Sequence, residues 1–463
     1  MKSLPLRPAF RLNDDESQHP QTVNDERNSM RAPSGVGETL WATAAPDFAG
    51  DALAGGRIET EVAIVGAGVA GLSTAIHLRE RGIDAVVLEA GRPGDGATGV
   101  SGGILAPEFP RDGIAKARRL HGREHGDRLA RLVGESTACT FALIDRYRIA
   151  CDTQRNGFVS PGRTAGEFDA LRADGEAWRA LGFDVRFLDA SATAEAIGSR
   201  VYAGSLYLAT GGALNPLADA LGLADAARGL GAPVFVDAAV LGMDRQGDRW
   251  QLRTRDGSVT AKRVVLAANG GNANLHPKLA GNTLPLLVYE YASSPLPEEV
   301  RRRSLGRGLP YTDRQAYVFT ARLDPYGRMI SAIPEIIPRW TGRAFEREAM
   351  RRIRQIYALK LPAIDYMWPG TAYLSPTLLP SLVLPEDGTD LIAIQACNGR
   401  GLALNTILGN EVAALIAGEE PGSLAVPLTR PRPVPFCFLA AQLPRALLTL
   451  AQASDRWRRQ PTA

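Results

Sequence analysis

The part of the sequence whose residue types and spacing best define a chemistry is a glycine-rich turn followed by one acidic residue. The apolar run 62–65 leads into Gly66-Ala67-Gly68-Val69-Ala70-Gly71, and an amphipathic run follows. A second apolar run, 85–88, ends at Glu89. A strand, glycine turn, helix, strand and acid in this order are typical of a dinucleotide-binding unit.

Each residue of this pattern has a separate physical role in such a unit. Gly66 allows the tight turn, Gly68 lets the backbone approach a pyrophosphate, and Gly71 lets the helix pack close to the strand. The free N–H groups at the helix start and the helix dipole favour phosphate charge. Glu89 follows Gly66 by 23 residues, where a carboxylate can accept both ribose hydroxyls. The acid favours FAD or NAD over NADP, although a plain tight turn and a solvated strand end would give the same residues.

The surrounding sequence predicts the elements that position this turn. The run 62–65 is apolar on both faces, as a buried parallel strand requires. Residues 263–268 read as another buried strand ending at Asn269, and a third strand, 390–395, leads through a glycine loop into a helix from Leu402. Between Leu284 and Trp368, proline-interrupted β-rich runs indicate an antiparallel sheet. We therefore expect an α/β fold: a three-layer Rossmann-like FAD-binding domain with an inserted antiparallel-sheet substrate domain.

The predicted domain division alternates between the two units along the chain. We expect a disordered arm at 1–36, FAD-binding parts at 37–145, 201–282 and 373–425, substrate-domain parts at 146–200 and 283–372, and a C-terminal tail helix at 426–463. The apolar tail helix could lie on a membrane surface or dock on the body of the protein.

Composition excludes several classes of protein. The chain has 53 basic and 50 acidic residues, too balanced for a dedicated nucleic-acid surface. Its four scattered cysteines form no metal or disulfide pattern, which favours a reducing cytoplasm. No secretory signal and no membrane-spanning run are evident, so no stable membrane insertion is expected. His121 and His125 could bind a metal or belong to a solvated charged helix face.

Taken together, these segments resemble the FAD-dependent amine and amino-acid oxidoreductases of the D-amino-acid-oxidase-like family, in particular its gamma-glutamylputrescine oxidoreductase-type branch. The similarity extends from about Trp41 to Asp455. The segments that carry it are residues 40–44, 94–103, 267–269, 322–328, 368–370 and 398–401. Two glycine motifs far apart in the chain, with a hairpin segment between them, are more specific than either motif alone.

The resemblance implies a bound FAD and a set of residues that contact it. Relatives with covalent flavin often carry a histidine in the second glycine segment, where this chain has Val100-Ser101-Gly102, so we expect tightly but non-covalently bound FAD. Besides the first turn and Glu89, the predicted FAD contacts are Ala90, Arg92, Ala97, Thr98, Ser101, Gly102, Gly103, Ala268, Asn269, Asn398, Gly399, Arg400 and Gly401. The alternatives are that Asn269 only caps a strand and that the glycine motif at 398–401 only forms a turn. Cys397 adjoins that motif and is interpreted as a small buried thiol.

Four residues are predicted for the substrate side. Arg322 is the candidate clamp for a substrate carboxylate, since a guanidinium binds carboxylate through a bidentate fork; the alternative is a surface strand arginine. Tyr289 and Tyr291 share one strand face and either line the pocket or pack the sheet. Trp368 could wall the site or belong to the core.

The expected activity is oxidation of the C–N bond of a small amine or amino acid by hydride transfer to flavin N5, which gives an imine that hydrolyses. Oxygen or a quinone would accept the electrons, and the helix beginning near Leu402 would stabilise the negative charge gained by the flavin. Two alternatives remain open: a flavin-binding RNA-modification enzyme and a non-catalytic FAD-binding subunit of a larger dehydrogenase.

Overall fold

The computed structural model describes residues 39–457 except 54, 112, 336–341, 358, 360–362 and 396–397. Three short 3₁₀ helices lie at Leu40–Thr43, Asn269–Gly271 and Pro277–Leu279. The α-helices are α1 (Val69–Glu80), α2 (Gly113–His121), α3 (Arg123–Tyr147), α4 (Ala165–Ala180), α5 (Ala190–Ile197), α6 (Pro216–Gly229), α7 (Asn272–Leu275), α8 (Glu298–Ser304), α9 (Gly342–Tyr357), α10 (Gly401–Ile416), α11 (Cys437–Ala440) and α12 (Leu443–Trp457).

The strands divide between two large sheets and one small ribbon. In chain order they are β1 (Arg57–Val65), β2 (Ala85–Leu88), β3 (Ile104–Leu105), β4 (Phe158–Gly162), β5 (Val185–Asp189), β6 (Gly204–Leu208), β7 (Gly212–Ala213), β8 (Val234–Phe235), β9 (Gly242–Gln246), β10 (Arg249–Arg253), β11 (Ser258–Leu266), β12 (Leu284–Ser293), β13 (Tyr311–Thr312), β14 (Thr320–Leu323), β15 (Met329–Pro334), β16 (Ile364–Leu374), β17 (Leu382–Val383), β18 (Leu391–Ile394) and β19 (Leu428–Thr429).

The first sheet has a parallel centre. Within the described residues its order is β19-β17-β18-β11-β1-β2-β8, and β10 pairs with β11 and β9 beside this path. The strands from β18 to β8 are parallel, so the chain must cross over between neighbours such as β1 and β2, which α1 connects. The carboxyl ends of β1, β11 and β18 therefore lie at one edge, where ligands bind in open α/β sheets.

The apolar run of β1 is covered on both faces, as its sequence predicts. Val62 and Ile64 belong to the large core cluster that includes residues of α1 and α10. Ala63 and Val65 belong to a separate cluster with Trp250 of the β9–β10 hairpin. Helices, parallel sheet and hairpin form three layers, and the predicted Rossmann-like fold class is confirmed.

The second sheet is mostly antiparallel. Its order is β16-β12-β15-β14-β13-β4-β6-β5. Among the described strands of this sheet, β13 and β4 are parallel to each other and the other neighbours are antiparallel. Helix α9 packs on it through Phe345, Ala349 and Ile353, which lie in a cluster with Tyr291. This sheet is the antiparallel unit predicted between residues 284 and 368.

Sheet membership differs from the predicted domain division in two places. Strand β6 lies in the second sheet although it falls in the predicted FAD-binding part 201–282. Strand β19 lies in the first sheet although residues 426–463 were predicted to be a tail helix. Strand β19 has two residues and its partner β17 lies about 46 residues away, so local pattern could not assign it, whereas β6 belongs with β5 just before the predicted boundary at 201. The remaining boundaries stay predictions.

The C-terminal helix α12 packs on the second unit. Arg445 pairs with the buried Glu335, and Gln452 donates a hydrogen bond to Glu348 of α9. These contacts match the docked-helix alternative. Among the described helices, none combines the length and the apolar character needed to cross a bilayer.

Candidate active site

The first glycine turn has the backbone geometry that its sequence predicts. Gly66 has φ of +108°, in a region that L-residues rarely adopt. A Cβ added to Gly71 would lie 2.0 Å from the Gly66 carbonyl oxygen, so only glycine allows helix α1 to approach β1 this closely. Gly68 is the N-cap of α1 and supplies no side-chain cap. The Val69 N–H donates to the Thr98 hydroxyl at 3.3 Å, and beyond this contact the helix start is left open to an anion.

Glu89 lies at the end of β2 and is fixed by the turn. Its carboxylate accepts hydrogen bonds from the N–H groups of Ala67 at 2.6 Å and Gly91 at 3.0 Å. Burial raises the pKa of Glu89, and these two N–H groups partly offset that effect. The acid is therefore positioned beside the helix start, where the sequence predicts a ribose contact.

The second glycine motif places another open helix start at the same edge. Helix α10 begins at Gly401, and its N-cap, Arg400, forms no side-chain cap. Asn398 has φ of +51° and accepts a hydrogen bond from the Ser375 N–H at 2.8 Å. Among the described residues, its buried Nδ2 has no acceptor. Cys397 lies outside the described residues.

One cavity of about 1390 Å³ joins the edge of the parallel sheet to the antiparallel sheet. Of the predicted FAD contacts, it is lined by Gly66, Gly68, Val69, Ala70, Glu89, Ala90, Ala97, Thr98, Ser101, Gly102, Gly103, Ala268, Asn269, Asn398, Gly399, Arg400 and Gly401. Ala67 and Gly71 are buried behind this wall, and Arg92 is exposed in a turn beside it.

The antiparallel sheet presents alternate residues of β12 to the cavity. Leu284, Leu286, Val288 and Glu290 line it, as the two-residue period of a strand requires. Tyr289 and Tyr291 point to the opposite face and contact Phe345 of α9, with ring centroids 5.1 Å and 5.9 Å away. Neither tyrosine lines the cavity. They share a face as predicted, and of the two predicted alternatives the structure shows sheet packing.

Three side chains hold the second glycine segment from behind. Trp368 donates a hydrogen bond to the Val100 carbonyl at 2.9 Å, and Trp41 donates one to the Ser101 carbonyl at 2.8 Å. Arg322 donates to the Gly103 carbonyl at 2.7 Å and also stacks on Trp41. Residues 100–103 line the cavity, and the three side chains that fix their orientation do not line it.

This arrangement changes the interpretation of Arg322. The residue is 3% exposed and does not line the cavity, and its second Nη1 hydrogen bond goes to the Leu214 carbonyl at 2.8 Å. Burial lowers the pKa of Arg322 to about 10. The alternative of a surface strand arginine is wrong, because the side chain is buried. The guanidinium binds backbone carbonyls, so we assign it a positioning role and do not carry the carboxylate clamp forward.

Trp368 is likewise a buried positioning residue. It is 2% exposed, and its ring contacts that of Trp41 edge-on at 5.9 Å between centroids. The core-packing alternative for Trp368 therefore describes its position. The signal that sequence reasoning missed was the single acid, Glu290, in the otherwise apolar alternation of β12.

A buried ionic cluster joins the two units next to α10. Glu108 is 1% exposed and pairs with Arg314 and Arg400, each at 3.0 Å. Asp174, which lies in α4, also pairs with Arg314 at 3.0 Å. Arg400 is thus held at the cavity wall by a carboxylate. Its buried Nε has no acceptor among the described residues.

The two histidines do not form a metal site with other residues. His121 ends α2 and His125 lies in α3, so Gly122 separates them into different helices. Their ring centroids are 5.7 Å apart. The described part of the chain contains no group of three or more metal-ligating side chains.

The donors around the cavity fit a dinucleotide that carries acceptor groups. Two helix starts face the same space, and their N-cap residues, Gly68 and Arg400, supply no side-chain cap. Asn398 Nδ2 and Arg400 Nε are buried donors without acceptors among the described residues. Buried donors are nearly always satisfied, so their clustering here favours a bound acceptor-rich ligand. The site therefore fits FAD.

The fold and this site define a dinucleotide-dependent oxidoreductase. Residues 61–415 match the family model described as FAD dependent oxidoreductase, and the chain belongs to this family. A similar protein is gamma-glutamylputrescine oxidoreductase of Escherichia coli (strain K12), 30% identical over 78% of this chain and 84% of the relative. The predicted family, the FAD cofactor and the oxidoreductase class are confirmed.

Solved structures show the same fold at lower identity. Glycine oxidase from Geobacillus kaustophilus superposes with a TM-score of 0.65 at 21% identity, covering 78% of this chain and 96% of that chain. L-proline dehydrogenase from P. horikoshii also gives 0.65, at 18% identity, covering 78% of this chain and 94% of that chain. These likenesses show that the chain has the fold of these two enzymes.

Proposed function

We propose that this protein oxidises the C–N bond of a small amine or amino acid, with oxygen or a quinone as the final electron acceptor. When bound, FAD supplies the hydride acceptor, flavin N5, and the resulting imine is hydrolysed by water. The observation that carries the proposal is that one continuous cavity extends from the starts of α1 and α10 to the face of β12 that bears Leu284, Leu286 and Val288.

Different residues of this chain have separate roles along that cavity. Glu89 and the start of α1 would hold the ribose and the pyrophosphate. The start of α10 directs its positive end into the cavity and would stabilise negative charge gained there. Leu284, Leu286 and Val288 provide an apolar wall that excludes water from the reacting carbon.

The proposal is tested by mixing the FAD-loaded protein anaerobically with a panel of amines and amino acids. The panel includes gamma-glutamylputrescine and glycine, the compounds named by two relatives. Bleaching of the flavin band by at least one compound is the expected result. If no compound bleaches the band, while dithionite does, the protein binds FAD without amine oxidation, as the non-catalytic subunit alternative predicts. Readmitting oxygen or a quinone to the reduced protein then identifies the acceptor.

A further inference from the structure

Glu290 is a carboxylate in an apolar part of the cavity. It lies on the same face of β12 as Leu284, Leu286 and Val288 and lines the cavity with them. Its neighbours in register are Ala332 on β15 and Trp368 on β16, neither of which carries charge. A charged side chain that faces an apolar space needs a partner, because an isolated buried charge is costly.

The charged group that acts on Glu290 within the described residues is Arg322 of β14, and its hydrogen bonds go to the Gly103 and Leu214 carbonyls. On the loop side, Glu290 Oε2 lies 2.9 Å from the position that a Cβ of Gly102 would occupy. Burial raises the pKa of Glu290 to about 8, and Arg322 and the Gly102 N–H partly offset this. Among the described residues, no side chain forms a hydrogen bond or an ion pair with the Glu290 carboxyl group. Arg322, whose Nε and Nη2 also have no hydrogen-bond partner there, acts on it only through space.

We propose that Glu290 binds the ammonium group of the substrate and accepts its proton. In this step one N–H proton moves to a Glu290 oxygen, the nitrogen keeps the electron pair, and no other bond changes. The neutral amine so formed is the form that can lose hydride from its adjacent carbon. This inference rests on the proposed function, which it deepens by naming the substrate class.

The substrate class follows from the charges around Glu290. Of the arginines that line the cavity, Arg314 and Arg400 are paired with Glu108, and Arg111 is exposed and donates to the Gln315 carbonyl. Arg322 acts on Glu290 from behind the cavity wall, where it donates to the Gly103 and Leu214 carbonyls. A carboxylate on the same carbon as the amine would lie beside Glu290 with repulsion between like charges. The favoured substrate is therefore a cationic amine on an apolar chain, without a carboxylate on the reacting carbon.

The test uses ligands that cannot be oxidised, so it does not depend on turnover. The first is α-methylleucine, which has no hydrogen on the carbon bearing nitrogen. The matched amine has a methyl group in place of the carboxylate of α-methylleucine, and the matched alcohol has a hydroxyl in place of the ammonium group of that amine. Dissociation constants and proton release are measured by calorimetry in buffers of different ionisation enthalpy, with the FAD-loaded protein.

We expect the wild type to bind the matched amine at least about tenfold more tightly than α-methylleucine. Because burial raises the pKa of Glu290 while an alkyl ammonium stays protonated through pH 9, binding of the ammonium to the carboxylate form releases a proton from the protein near neutral pH, and the release falls as the pH rises to 9. Glu290→Gln should weaken amine binding about tenfold or more, abolish proton release and change alcohol binding less than about twofold. Glu59→Gln, an exposed carboxylate change outside the cavity, is the control.

Any of three results overturns the inference. The first is equal amine affinity in Glu290→Gln and the wild type, the second is absence of proton release, and the third is failure of the wild type to bind the matched amine. If Glu290→Gln does not retain FAD, the pH dependence of proton release in the wild type decides. Flavin bleaching is read separately. Amines that bleach the wild type while the Glu290 measurements fail leave the proposed function standing, and ammonium binding through Glu290 without any bleaching refutes the proposed function alone.

Discussion

Asp219 gives a prediction whose size follows directly from its surroundings. This residue lies in the first turns of α6 and is 1% exposed. Neither carboxyl oxygen has a hydrogen-bond partner among the described residues. Burial raises the pKa of Asp219 from 3.8 to about 7. A buried carboxyl of this kind is neutral in the folded protein at acidic pH, whereas it is already ionised in the unfolded chain.

The sign and the magnitude follow from proton linkage. Between the unfolded pKa and the folded pKa, the folded state binds more protons, so stability falls as pH rises through this window. The pKa difference of about three units corresponds to about 4 kcal/mol above pH 7. At pH 5 the penalty is about 1.5 kcal/mol and at pH 8 about 4 kcal/mol, so about 2.5 kcal/mol is lost between these two values.

Asp219→Asn removes this titration while keeping the shape of the side chain. For a chain of 463 residues, the unfolding entropy is about 1 kcal/mol per degree, so the loss corresponds to about 2.5 °C. We expect the melting temperature of the variant, relative to the wild type, to rise by this amount between pH 5 and pH 8. Thermal unfolding of the FAD-saturated proteins measures it.

A control on the same helix separates burial from helix chemistry. Asp225 also lies in α6, but its side chain is 63% exposed. Asp225→Asn should therefore show the pH dependence of the wild type. If Asp219→Asn and the wild type change in parallel from pH 5 to pH 8, the carboxyl group of Asp219 is not the source of this pH dependence, and the reasoning is refuted.

Three further predictions concern the cofactor and its frame. Gly71→Ala should destabilise the protein by about 3 kcal/mol and weaken FAD binding, because the new Cβ meets the backbone. In the control Gly166→Ala, the new Cβ meets nothing within 4 Å, so stability should change by less than about 1 kcal/mol. Chemical denaturation and FAD titration measure the two effects. Glu108→Gln should cost about 3 kcal/mol in denaturant unfolding because it leaves the buried Arg400 without an ion pair and Arg314 with Asp174 alone, with a much smaller effect for the exposed Glu61→Gln. Acid precipitation should release all of the yellow flavin into the supernatant, and colour retained by the washed pellet would contradict non-covalent binding.

The parts of the site that sequence could predict are those set by local backbone chemistry. The turn at Gly66 requires a positive φ, and the approach of α1 requires Gly71, so these residue types carry their geometry in the sequence. Glu89 is predictable for the same reason, because β2 is the next strand and ends beside the turn. Each inference concerns contacts within about 25 residues of chain.

The substrate side could not be predicted in the same way. The alternation of β12 assigns Tyr289 and Tyr291 to one face and Glu290 to the other, but the face that borders the cavity depends on where α9 packs. Arg322 was chosen for its chemistry, whereas its hydrogen bonds go to Gly103 and Leu214, both more than 100 residues away. Contacts between distant segments decided both cases, and local pattern does not contain them.

The joint position of the two helix starts depends on one such distant contact. Ser73 of α1 donates a hydrogen bond to the Thr406 carbonyl of α10 at 2.6 Å. A Cβ on Gly409 of α10 would lie 2.7 Å from the Thr74 nitrogen, so a glycine there lets the two helices touch. Close packing along this seam fixes the distance between the open ends at Gly68 and Arg400. A larger side chain at position 409 would separate these ends without altering either glycine motif, which explains why both motifs need this helix contact to form one cofactor site.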